Sequence, residues 1–116
     1  MYDKAISDYS EAVRLAPQVT GFLNNLAWLL ATCPVDEMRD GKRAVQLGTK
    51  ACELSNWKSS VHLATLAAAH SECGDFSEAV KWQKKVIETG FDNNEDKEKA
   101  VKRLKLYEQG KPYRAE

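Results

Sequence analysis

Three stretches decide the fold: YDKAISDYSEAVRLAP at Tyr2–Pro17, GKRAVQLGTKACELS at Gly41–Ser55 and FSEAVKWQKKVIETG at Phe76–Gly90. Each carries a small residue early (Ala5, Ala44, Ala79) and a small or apolar one seven positions later (Ala12, Ala51, Val86). Both landmarks move together, by 39 residues and then by 35. Upstream of the second and third copies lie FLNNLAWLLATC from Phe22 and VHLATLAAAHSECG from Val61, in which Leu26 and Leu66 correspond 40 residues apart. The repeating unit is therefore a pair of helices. Alanine is a good helix former without bulk, so backbones come close where the paired helices cross. Leu15, Leu23, Leu26, Leu30, Leu47, Leu54, Leu63 and Leu66 recur at helical spacing and are candidates to fill the seam.

Working outward, six helices are expected, over about 2–16, 20–33, 40–55, 59–73, 75–89 and 93–110, with no strand. Pro17 and Pro34 follow helical patterns, and Asp40 and Asp75 stand where N-caps are needed. The departures from equal spacing fall in PVDEMRDG and SNWKS, where a longer loop adds only slowly growing closure entropy. In DNNEDKEKAVKRLKLYEQG, capping residues and acids come first and bases later, and Glu95–Lys99 and Glu98–Lys102 have the favourable four-residue spacing. Ala100, Val101, Leu104 and Tyr107 form a narrow apolar stripe there, as suits a helix covering the end of a stack. The closing KPYRAE loses the helical pattern at Gly110 and Pro112.

This arrangement resembles the tetratricopeptide repeat, a helix-turn-helix unit of about 34 residues. The resemblance covers residues 2–90 and rests on Leu66, Ala67, Gly74, Asp75, Phe76, Ala79 and Val86, on Leu26, Ala27, Ala44 and Ala51, and on Tyr2, Ala5, Tyr9, Ala12 and Pro17. It implies an all-α solenoid of about two and a half repeats over residues 1–90, the first lacking its first helix, with a capping helix and short tail over 91–116. It also implies the C-terminal part of a bacterial-type repeat array, with a role as an adaptor within a longer polypeptide. The missing first half points either to such a longer chain or to cover from another one. In the second case Ile6, Tyr9 and Val13 stand exposed and favour a homodimer through this helix.

Repeats of this type bind protein or peptide segments on the face lined by the first helix of each unit. That face is expected to carry Asn24, Trp28 and Thr32 from one helix and Ala64, Ala68 and Glu72 from the next. Trp28 is the natural anchor, because an aromatic ring offers large area at little entropy cost, and Asn24 suits the main chain of an extended ligand. Some relatives hold a terminal carboxylate with a clamp of basic residues. Here no basic residue falls between Arg14 and Arg39, so the face is expected to be apolar or neutral.

Other chemistries are weaker. The 17 basic and 17 acidic side chains cancel, which removes a global field toward nucleic acid or anionic membranes. Residues 1–38 nonetheless hold two bases against five acids, so positive charge gathers toward the far end. Lys97, Lys99, Lys102, Arg103, Lys105, Lys111 and Arg114 raise the alternative of an accessory nucleic-acid-binding or regulatory domain of a larger enzyme, but Glu95, Asp96, Glu98 and Glu108 interrupt that run. His70 and Cys73 share a helix and Cys33 ends the earlier one; adjacent units stand about 10 Å apart, too far for shared metal coordination. No phosphate-cradling loop, nucleophile elbow or carboxylate pair is present, so neither catalysis nor a cofactor or metal is expected. Three cysteines without close pairs favour a reducing, cytoplasmic setting. No apolar run has the roughly 20 residues a bilayer requires.

Overall fold

Among the described residues six α-helices run in the order α1 Tyr2–Leu15, α2 Thr20–Thr32, α3 Gly41–Leu54, α4 Ser60–Glu72, α5 Phe76–Glu88 and α6 Asn94–Glu108, with one 3₁₀ turn at Asp36–Met38. The computed structural model describes residues 1–91 and 93–115, and among these there is no strand. Asp92 and Glu116, both part of the expected capping unit, lie outside the described residues. Among the described residues no helix is long and apolar enough to cross a membrane.

The helix boundaries follow from local chemistry. Asp40 Oδ1 accepts the Arg43 amide at 3.1 Å and Asp75 Oδ1 the Glu78 amide at 3.3 Å, so each carboxylate satisfies one of the orphan donors of its helix. Ser59 and Asn93 do the same for α4 and α6. Helix α4 ends at Gly74 (φ +79°), with the Asp75 amide on the His70 carbonyl and the Gly74 amide on Ser71. This is a Schellman closure, and the left-handed residue it needs favours glycine. The same pattern closes α6 at Gly110 (φ +71°), where the Lys111 amide reaches the Leu106 carbonyl at 2.9 Å. That turn sends the following residues back over the molecule.

Each helix packs on the next in sequence, and α2 also packs on α4. The molecule measures 35 × 30 × 24 Å. Leu26, Leu30, Ala31, Ala44, Ala68 and Ala69 form one buried cluster; Cys52, Leu63, Leu66 and Val86 form a second; Ala67, Ala79 and Tyr107 form a third beneath α6. The repeating landmarks Ala44, Ala51, Ala79 and Val86 are all buried. Ala5 and Ala12 are only half-buried, because α1 packs chiefly on α2. Two glycines of α3 set how closely it meets α4. A Cβ at Gly41 falls 2.9 Å from Cys73 Sγ and 3.2 Å from the Cys73 amide nitrogen, whereas one at Gly48 meets Leu66 Cδ1 at an ordinary 3.5 Å.

Candidate functional site

A groove of about 760 Å³ opens between α2, α4, α5 and α6. Helix α2 lines it with Asn24, Asn25 and Trp28, α4 with Ala64 and Thr65, and α5 with Gln83 and Val86; Phe91, Asp96, Lys99 and Arg103 complete the rim. Such a groove is within the usual size range of ligand sites and mixes apolar walls with a few polar groups.

Two amide oxygens give it a direction of chemistry. Gln83 is fully buried, and its Nε2 donates to the Ala100 carbonyl at 2.9 Å. That bond fixes which way the amide points, so the remaining atom, Oε1, is an acceptor, and it has no hydrogen-bond partner. Asn24 Oδ1 is likewise buried without one. A buried carbonyl left unpaired costs about 1–3 kcal/mol. Both residues belong to the lining of the groove.

The far end of the same face is already covered. After Gly110 the chain folds back, the Ala115 amide donates to the Thr32 carbonyl at 2.8 Å, and Arg114 Nη2 lies 2.8 Å from Glu72 Oε1. The Tyr113 ring sits 5.7 Å from Trp28, and the Arg103 guanidinium lies over both rings, 5.1 Å from Trp28 and 4.6 Å from Tyr113. Glu72 also accepts from Arg39 Nε at 3.2 Å. Burial opposes the charge on Arg39, but Asp36 and Glu72 outweigh it and raise its pKa.

The six expected groove residues therefore separate. Asn24, Trp28 and Ala64 line the open groove, while Glu72 lies beneath the returning segment. Thr32 is buried, with its hydroxyl on the Trp28 carbonyl at 2.7 Å, and it offers the face only its own carbonyl. Ala68 belongs to the first core cluster and is not part of this groove's lining. The expectation of an apolar or neutral face changes too, since α6 brings Asp96, Lys99 and Arg103 to it. Ile6, Tyr9 and Val13 are partly buried against the first cluster; the exposed apolar side chains of this region are Met1, Leu15 and Val19.

Comparison with known proteins adds no assignment. Neither a family model, nor a curated protein, nor a solved structure matches the chain. His70 pairs only loosely with Asp75, at 3.9 Å, and among the described residues no three His, Cys, Asp or Glu side chains gather as metal ligands do. Cys33 and Cys52 are buried and Cys73 is exposed. Burial, then Glu53, pushes the Cys52 thiol up to about 11. The Cys73 thiol is also raised, by burial and by Glu72, Asp40 and Asp75, which is the opposite of what activates a nucleophile.

Gln83, Phe91 and Tyr113 are absent from the sequence-based expectation, and Arg103 and Arg114 enter it only as part of the basic run, not as groove residues. Gln83 had a legible signal: with Ala79 and Val86 it makes up the buried face of α5, and a polar residue within an apolar stripe marks either a satisfied strut or a site. The others join the site only through tertiary packing.

Proposed function

We propose that this chain is an interaction scaffold of tetratricopeptide type, without catalysis, that holds an extended protein or peptide segment between α2, α4, α5 and α6. The observation that carries the reading is the pair of buried, unpartnered amide oxygens, Asn24 Oδ1 and Gln83 Oε1, lining a groove beside a half-buried Trp28. The pairing of helices supports the repeat assignment: α2 with α3 and α4 with α5 form successive hairpins, α2 lies on α4, and the small landmark residues are buried where the helices meet. A rigid wall of two helices with an aromatic anchor is suited to a segment that brings its own hydrogen-bond donors.

Selection of peptides from a random library on the full chain, followed by affinity measurement on the Trp28→Ala variant, tests this. Selected peptides are expected to bind Trp28→Ala at least about tenfold more weakly, as removal of an anchor costs 2 kcal/mol or more. Equal affinity for both chains contradicts the assignment of the groove.

A further inference from the structure

The groove has a seat and the chain itself fills it. Along α2, Asn24 and Trp28 border open space, whereas from Trp28 to Thr32 the face is covered by Tyr113, Arg114 and Ala115. Three kinds of contact hold that segment, each of a kind that peptide recognition uses. A main-chain amide meets a helix-end carbonyl (Ala115 to Thr32, 2.8 Å), an aromatic ring meets an aromatic ring with a guanidinium over both, and an arginine meets a carboxylate that is only 17% exposed. The Thr32 carbonyl ends α2 and has no intrahelical donor, so the seat exists before the segment arrives.

From this we infer that Tyr113–Ala115 is an internal occupant of the binding groove, and that the external ligand is an extended peptide in which an aromatic residue directly precedes an arginine. The inference rests on the proposed role of the groove and adds to it the chemistry of the ligand and a means of control. Asn24 to Thr32 spans about 12 Å of helix, which about four extended residues cover. A ligand seated there places its aromatic ring against Trp28 and Arg103 and its arginine on Glu72, and its backbone continues toward Asn24 Oδ1 and Gln83 Oε1, which the internal segment leaves unpaired. The internal segment is tethered and so competes at high effective concentration, while the outside ligand has the longer contact. A segment seated about nine-tenths of the time leaves about a tenth of the molecules competent, and an outside peptide then binds about tenfold more weakly than to an open groove.

The test uses the full chain and its Arg114→Glu variant, in which like charge at Glu72 unseats the segment. The probe is a fluorescent Lys-Pro-Tyr-Arg-Ala peptide, blocked at both ends, read by anisotropy; slow hydrogen exchange of the Ala115 amide reports the seat independently. The expected result is a protected Ala115 amide in the unaltered chain, loss of that protection in Arg114→Glu, about tenfold tighter probe binding by the variant, and loss of binding when the probe's tyrosine is replaced by alanine. Equal probe affinity for both chains overturns the inference. If peptides of unrelated sequence bind both chains equally well, the inference falls and the groove remains a binding site. If no peptide binds either chain, the proposed function fails and the inference with it.

Discussion

Replacing Gln83 by methionine separates a binding group from a structural one, because the two roles predict opposite changes in stability. The side chain is fully buried and keeps one oxygen unpaired, a burden of about 1–3 kcal/mol on the free protein. Its Nε2 bond to the Ala100 carbonyl returns about 1 kcal/mol, and that carbonyl lies inside α6, where the helix supplies it with an amide. Methionine has nearly the same length and volume, so it fills the space with little strain. The balance favours the variant by about 1 kcal/mol. With an unfolding entropy of about 2.1 cal/mol/K per residue over 116 residues, Tm rises by about 4 °C. Calorimetry of the two chains measures this, and titration with a groove-binding peptide measures the other half. There the variant is expected to bind about tenfold more weakly, having lost an acceptor. A lower Tm refutes the reasoning, since it means that the oxygen is satisfied within the fold. A higher Tm with unchanged affinity means that the oxygen faces no ligand.

The two glycines of α3 respond in opposite directions. Gly48→Ala places its methyl at ordinary contact with Leu66 and removes a mid-helix glycine, so thermal unfolding is expected to shift upward by the equivalent of about 1 kcal/mol, whereas Gly41→Ala crowds Cys73 Sγ at 2.9 Å and its amide nitrogen and is expected to lose about 1–2 kcal/mol. Burial lowers the pKa of His62 below its ordinary 6.5. The unfolded chain therefore binds the proton more readily, so this residue's contribution is full above about pH 6.5 and falls as the solution is acidified, and His62→Gln is expected to flatten that part of a stability–pH curve measured with denaturant. A thiol reagent at mild alkaline pH is expected to label Cys73 alone in the folded chain and to reach Cys33 and Cys52 only on unfolding; three thiols labelled under native conditions contradict the buried positions of those two.

Much of the helical framework was legible because its causes are local. Asp40, Asp75 and Gly74 act within a few residues of themselves, and the alanine landmarks recur because every crossing of helices imposes the same restriction on bulk. The binding face was legible over one turn of α2, from Asn24 to Trp28, and at Ala64 of α4. A stripe at four-residue spacing advances 400° per step rather than a full number of turns, so it drifts about 40° each time and about 80° over two steps. That drift carries Thr32 away from the face that Asn24 presents; on α4 it does not decide the outcome, since Ala68 packs into the core while Glu72 meets the returning segment. The basic character of α6 was visible, but its use was not. Which charge turns inward depends on the packing of α6 on α5, and that placement puts Arg103 over Trp28. The return of Tyr113–Ala115 depends on Gly110 pointing the chain backward, and helical periodicity carries no information about where a non-helical segment comes to rest.

The central claim is that an extended segment lies along α2 with its donors on Asn24 and Gln83. The most direct measurement is side-chain amide NMR of these two residues, with the Trp28 indole resonance, as a selected peptide is titrated. All three are expected to shift together and saturate with the same affinity. Shifts confined to the outer surfaces of α1, α3 or α5, with these three signals unmoved, would contradict the account.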